Sequence, residues 1–316
     1  MDNTVAICTW NRSALLRQTL EQLTRLRIPR EVSWELLVVN NNSTDATDDV
    51  VESFAGRLPV RGLAEPTPGK SHALNRAVRH ACGRYILFTD DDALVDSDWV
   101  SAYIEAFRRW PDAAVFGGPI EPWFAGNPPS WLVRTFHQVE YAYAALDLGP
   151  EPRRLGGYDV PFGANMAMRM KEQREHLYDP QLGPRPDSGL RGEEITLVKR
   201  LLAGGATGWW VPGARVRHYI PADRQTVGYI RQWYQGWGEY LARISPPSKS
   251  ISLAGRPLWL WRQALETELR FRLRHRLAQP EVWIEDLKLA GTSWGQLRRY
   301  GSDSPATGSS HPPATP

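Results

Sequence analysis

Along the first third of the chain, short apolar runs alternate with stretches whose apolar residues recur at helical spacing. "TVAIC" is a short β-branched run, and "SALLRQTLEQLTRL" spaces its apolar residues three and four apart behind Ser13, a candidate N-cap. "WELLVVN" reads as a second apolar strand, closed by the turn-rich "NNSTDAT". "DATDDVVESFA" reads as a helix, and "LPVRGLAEP" as a short strand running into a loop. "GKSHALNRAVRHA" is helical again, and "YILFTDDD" is a third, strongly apolar strand. Strands alternating with helices predict an α/β fold, a mostly parallel sheet with right-handed crossovers. In such sheets ligands sit beyond the carboxyl ends of the strands. "TWNR", "NNNSTD" and "TDDD" all fall on those ends.

The pattern changes near Ala113. "AAVFGGPIEPW" reads as a strand, "FAGNPPSW" as a loop and "VRTFHQVEYAYAALDL" as a helix. A Gly/Pro-rich passage leads to "PFGANMAMRMKEQREHL" and then to "GEEITLVKRLLAGG", a helix stopped by glycines. "TGWWVPGARVRHYI" reads as a closing strand. Beyond Pro221 the chain is helical with a break at "SPPSKS", and "GSDSPATGSSHPPATP" has the composition of a disordered tail. There is no internal repeat. The expected division is therefore 1–220, in halves 1–112 and 113–220, then a helical region 221–300 and the tail 301–316.

A chain of 316 residues is long enough for a large core. A net charge of +3 is too small to imply nucleic acid, and none is expected as a partner. Cys8 and Cys82 offer neither a metal-ligand spacing nor a disulfide framework, which favours a reducing compartment. The opening "MDNTVAICTWNRS" has no signal-peptide pattern, and no apolar run approaches the length of a membrane span. A cytoplasmic protein is expected. Fourteen tryptophans are the compositional oddity.

Asp90, Asp91 and Asp92 stand together behind a buried strand. A solvated turn, a cap for the next helix and a cation site are three readings of that run. A cap uses one acid. Mg²⁺ or Mn²⁺ uses one or two carboxylates together with substrate phosphates, and that reading accounts for both the number of acids and their position. Neither the P-loop nor the dinucleotide fingerprint occurs in the chain.

"VAICTWNRSALLRQTLEQL", "WELLVVNNNSTDAT", "GKSHALNRAVRHACGRYILFTDDDALVDSDWV", "PFGANMAMR" and "GEEITLVKRLLAGGATGWWVPGARVRHYI", in this order, resemble glycosyltransferase family 2 across roughly residues 4–240. The resemblance implies a GT-A fold, Rossmann-like, with a C-terminal helical extension. It also implies an inverting transfer from a nucleotide sugar, UDP-, GDP- or dTDP-linked. "TDDD" resembles the DxD motif, so Asp90 and Asp92 would face the ribose and the metal, Asp91 taking a share. His218 matches a histidine that completes the metal shell. Thr9, Trp10, Asn11 and Arg12 would contact the donor; Asn40 stands where the family often has an Asp that holds the base, and Lys70 would reach the diphosphate or base. "GEEITLVKRL" resembles the acidic-pair motif, with Glu194 in the general-base position and Glu193 the alternative. Asn165 and Arg169 would face the sugar and acceptor.

"RQWYQGWGEY" has Gln232 but lacks the Arg of the processive Gln-x-x-Arg-Trp signature, so a single-sugar transfer is expected. The acceptor would be a glycan, a lipid-linked sugar or a small molecule. In "PLWLWRQALETELRFRLRHRLAQP", Leu258, Trp261, Leu265, Leu269, Leu273 and Leu277 share roughly one helical face among Arg262, Arg270, Arg272, Arg274 and Arg276. A helix packed on the catalytic domain, a dimer contact and an interfacial helix at the inner face of a membrane are its three readings. Two rival functions are a nucleotidyltransferase, which would show a Gly-rich loop near the N-terminus, and a non-catalytic sugar- or nucleotide-binding protein. Acids at both the metal and the base positions argue against the latter.

Overall fold

The structure, a computed structural model, describes residues 1–156, 159–185, 190–245 and 251–302. The expected break after Ser245, and all but the first two residues of the expected tail, lie outside them. The chain forms two compact units, residues 1–230 and the residues from 231 on.

The first unit opens as the alternation predicts. Strand β1 (Asn3–Thr9), helix α1 (Ser13–Leu23), β2 (Trp34–Asn40), α2 (Thr47–Glu52), β3 (Val60–Ala64), α3 (Lys70–His80) and β4 (Tyr85–Asp90) follow in turn. β1, β2 and β4 are apolar on both faces because helices cover both sides of the sheet. Val5, Ile7, Leu36, Val38 and Leu87 face one core, and Ala6, Leu37, Val39, Ile86 and Phe88 the other. The chain continues through β5 (Ala93–Val95), α4 (Trp99–Arg109), β6 (Val115–Gly117), β7 (Ile120–Phe124) and α5 (Ser130–Val139). It then forms β8 (Met166–Arg169), α6 (Met170–Glu175), α7 (Glu193–Ala203), β9 (Gly208–Trp210) and β10 (Val216–Ile220). No described helix is long and apolar enough to cross a membrane.

The main sheet has the order β3-β2-β1-β4-β8-β6-β9, and only β8 runs against the others. After β3 the chain crosses back over β1 to form β4, so the strand order reverses between β1 and β4, where open α/β sheets bind ligands. The register sets Cys8 opposite Asp90 and Thr9 opposite Asn40, which brings three sequence motifs to one edge. A second sheet has the order β5-β10-β7 and pairs His218 with Ala93.

Two expected strands are each two strands in different sheets. "AAVFGGPIEPW" divides into β6 and β7, and "TGWWVPGARVRHYI" into β9 and β10. The physical reason is close approach: a Cβ on Gly118 would lie 2.1 Å from the carbonyl oxygen of Ala214, so only glycine allows the two crossings to touch. The helix expected through "EYAYAAL" ends at Val139. A 3₁₀ turn (Glu140–Tyr143) follows, stopped by Ala144 at φ 53°. Ser13 is no N-cap either: its backbone N–H donates to Asp45, which also accepts from Thr47 and so ties two helix starts together.

In the second unit the helices are α8 (Val227–Ile244, which begins in the first unit), α9 (Leu258–Leu277) and α10 (Pro280–Ser302), with a short hairpin of β11 (Ser252–Leu253) and β12 (Arg256–Pro257) before α9. α8 and α10 meet backbone to backbone. A Cβ on Gly238 or Gly295 would come within 2.0 Å of a carbonyl of the other helix.

Candidate active site

β4 ends in a turn that keeps Asp91 and Asp92 buried, a placement carboxylates tolerate only when paired. Asp91 accepts from Thr9 Oγ1 at 2.7 Å and from Arg12 at 3.1 Å. Its backbone carbonyl accepts from Thr19. Burial, together with the charge of Asp92, pushes the Asp91 carboxyl up to about 6. Asp92 is the better-compensated acid: Arg12 lies at 2.8 Å, His218 Nε2 at 3.1 Å and Arg224 at 3.8 Å. Against its burial, those cations hold it well below the usual carboxylate range.

His218 reaches this point because β10 pairs antiparallel to β5, directly after the acids. The backbone N–H of Tyr219 donates to the carbonyl of Asp92 at 2.9 Å. His218 Nδ1 lies 2.8 Å from the carbonyl of Tyr143, which can only accept a hydrogen bond, so Nδ1–H is the donor there and Nε2 is the nitrogen that faces Asp92. Burial works against the charge on His218, but Asp92 raises its pKa overall. Ligand atoms of Asp90, Asp92 and His218 lie within 4.8 Å of one another. Two carboxylates and an imidazole whose free nitrogen faces them fit a Mn²⁺-type ion.

Lys70 joins this cluster to the acidic pair. It is the first residue of α3, and its Nζ lies 3.3 Å from Asp90 and 3.0 Å from Glu194. Burial opposes its charge, yet Asp90, Glu194 and Glu193 raise its pKa well above the ordinary lysine value. Glu193 and Glu194 open α7, and both are buried. Their carboxyls diverge. That of Glu194 lies against Gly163, where a Cβ would come 2.2 Å from Oε1. That of Glu193 lies against Gly183, its Cδ 3.2 Å from where a Cβ would be. Burial and the neighbouring Glu194 push Glu193 up to about 8.

Thr9, Arg12, Lys70, Asp90, Asp91, Asp92, Glu193, Glu194 and His218 thus come together. Trp10 is exposed beside them, and Asn11 shapes the turn, at φ 51° with its Oδ1 accepting from the backbone N–H of Thr44 at 2.7 Å. Asn40 stands at the end of β2, but its amide donates to Asp48 and accepts from the Ser43 N–H, both at 2.8 Å. Two expected contacts are corrected. Asn165 is fully buried, and its amide is consumed by Trp99, Tyr103, Pro119 and Ala214, which leaves nothing to offer a sugar. Arg169 pairs in register with Tyr85 at the opposite end of β4 and is held by Glu172 and the carbonyl of Pro111. Arg224 was not foreseen: it belongs to no motif, and its approach to Asp92 depends on the return of β10.

The family model described as glycosyl transferase family 2 matches residues 4–166. The chain belongs to that family. Among curated relatives of this family 2 member, the succinoglycan biosynthesis protein ExoM of Rhizobium meliloti (strain 1021) is 27% identical over 130 residues, 40% of this chain and 41% of that protein. Validoxylamine A glucosyltransferase of Streptomyces hygroscopicus subsp. jinggangensis (strain 5008) is 33% identical over 150 residues, 47% of this chain and 35% of that protein. The matches thus span less than half of each of these two relatives. The fold is that of GT-A glycosyltransferases. The mannosyltransferase PcManGT from Pyrobaculum calidifontis, solved with GDP-Man and Mn²⁺, superposes with TM-score 0.60 at 20% identity, covering 93% of this chain and 86% of that one. S. aureus TarS 1–349 with UDP-GlcNAc gives TM-score 0.51 at 15% identity, covering 94% and 91%.

Proposed function

We propose that this site transfers one sugar, with inversion, from a nucleoside-diphosphate sugar to an acceptor hydroxyl, with Glu194 as the base. The observation that carries the reading is the bridge made by Lys70, whose single ammonium spans Asp90 of the cation cluster and Glu194. A leaving-group site and a base site are therefore separated by about one reacting centre. The acceptor oxygen forms its bond to C1 while the bond from C1 to the phosphate oxygen breaks. The electron pair leaves with the diphosphate, and the acceptor proton passes to the Glu194 carboxylate. Attack opposite the leaving group inverts C1. Asp90, Asp92 and His218 would hold a divalent cation, Mn²⁺ in preference to Mg²⁺ given the imidazole. A bound cation would offset the diphosphate charge as it departs. Lys70, Arg12 and Arg224, the cations that pair with these acids, would face the same phosphates.

The proposal covers UDP-, GDP- and dTDP-linked donors and a glycan, lipid-linked or small-molecule acceptor. Cytoplasmic residence, with a contact at the inner face of a membrane, belongs to the same proposal; two unpaired thiols and the exposed leucines of α9 support it. The test is nucleoside diphosphate release from a panel of nucleotide sugars with Mn²⁺ or Mg²⁺, with and without EDTA. Metal-dependent release from one donor is expected. If calorimetry finds no metal-dependent binding of any donor in the panel, the reading is wrong.

A further inference from the structure

The core side of α9 is marked by its buried residues, Leu260, Ala264, Thr267 and Phe271. Phe271 packs edge-on against Trp283 of α10, and Leu260 and Ala264 cluster with Leu297. At about 100° per residue, the opposite side carries Leu258, Arg262, Leu265, Leu269, Leu273 and Arg276. The leucines along it are exposed, 57% for Leu265, 60% for Leu269 and 55% for Leu273, as is Leu277 at its flank, 85%. Spaced four apart, they form a stripe roughly 18 Å long. It is extended at its start by the β11–β12 hairpin, whose turn at Ala254 (φ 52°) and Gly255 (φ 73°) presents Ile251 and Leu253 to solvent. A hydrogen bond of 2.9 Å from the Leu258 N–H to the Ile251 carbonyl ties that hairpin to α9, beside the half-exposed Trp259. A helix that buries its less apolar side and shows leucines to water has an unmet partner.

We infer that this outward face of α9, with the Ile251–Leu253 hairpin, is a docking surface for a bilayer rich in anionic phospholipid. The inference gives the proposed membrane contact its surface and its lipid chemistry, and it holds or fails independently of the transfer reaction. Charge decides the occupant. Arg262, Arg272 and Arg276 stand among or beside the leucines, and the one carboxylate on that side, Glu266, is already held by Arg262. Arg272 reaches back to Glu268, and Arg276 has no carboxylate partner among the described residues. Arginine stems can lie along an apolar surface while their guanidiniums meet phosphate at headgroup depth. A second copy packed face to face would instead set these arginines against each other.

The experiment is flotation of the full-length protein with vesicles of phosphatidylcholine alone or mixed with phosphatidylglycerol, at low and high salt. Binding is expected to the mixed vesicles, weaker without phosphatidylglycerol and weaker in high salt. Leu269→Ser with Leu273→Ser should lower the partition coefficient about tenfold or more. Arg272→Gln with Arg276→Gln should lower it about fivefold per arginine. These side chains are exposed, so the thermal midpoint should hold, and donor hydrolysis should be unchanged because none of them touches the acidic cluster. No flotation with mixed vesicles, flotation indifferent to phosphatidylglycerol, or flotation unaffected by the leucine pair would overturn the inference. So would a dimer in sedimentation that the same leucine pair dissolves, which would assign the face to a second copy.

Discussion

At the carboxyl ends of β1 and β4 the chain buries Asp91, Asp92, Glu193, Glu194 and His218, whereas along α9 it leaves Leu265, Leu269, Leu273 and Leu277 in water. Both placements go against the ordinary sorting of side chains, and they differ in what is missing. In the acidic cluster almost every charge has a counter-charge within a few ångströms, so the geometry exists before any ligand arrives. On α9 nothing among the described residues covers the leucines, which stand more than half exposed. The proposed transfer draws on the first region and the proposed docking to a bilayer on the second, so the two readings rest on opposite departures from ordinary sorting.

The sharpest way to break that contrast is at Glu194. Glu194→Gln keeps the shape and removes the proton acceptor, so turnover should fall about a thousandfold while donor binding, measured by calorimetry, is retained. Normal turnover in that variant would mean that the cluster is organised for something other than transfer.

A paired substitution in α9 tests the other side. Leu260→Ala should cost about 3 kcal/mol because it empties a fully covered position. Leu269→Ala, nine residues on in the same helix, should cost less than about 0.5 kcal/mol in chemical denaturation without lipid. Equal costs would show that the exposed stripe is buried in solution after all.

Gly163→Ala sits next in expected size. The added Cβ meets the Glu194 carboxylate at 2.2 Å and must displace it. A shift of that kind should lower kcat about a hundredfold and leave the donor dissociation constant unchanged. A fall in donor affinity of the same size would place Gly163 in donor binding instead.

The two regions were also unequally legible in the sequence. Acids at the end of an apolar strand, an acidic pair opening a helix and a histidine closing a strand are local patterns. Parallel register brings the ends of β1, β2 and β4 to one edge, with Cys8 opposite Asp90 and Thr9 opposite Asn40, and the antiparallel pairing of β10 with β5 adds His218. Asn165 was misread because a short motif does not say which way a side chain turns. Its amide points inward to Trp99 and Tyr103. Arg224 was invisible because its contact with Asp92 depends on a long-range return of the chain. On α9 the periodicity of leucine identified a face but not which face is covered. The core side uses Ala264, Thr267 and Phe271, a less conspicuous set.

The finest test separates Glu193 from Glu194. With burial and the adjacent Glu194 pushing it up to about 8, Glu193 is mostly protonated in the folded protein at neutral pH. In the unfolded chain it ionises near about 4.3. The folded state therefore binds the extra proton between those values. The stability tied to that proton is full below the unfolded pKa and is lost as pH rises through the folded one. Glu193→Gln imitates the protonated side chain and cannot lose a proton. Its stability should match that of the wild type at acid pH and exceed it increasingly up to about pH 8, with the gap level beyond. Turnover at neutral pH should change little, because the residue lies against Gly183 and away from Gly163. A pH-independent gap would show that Glu193 ionises normally, and a loss of turnover as deep as that of Glu194→Gln would move the base from Glu194 to Glu193.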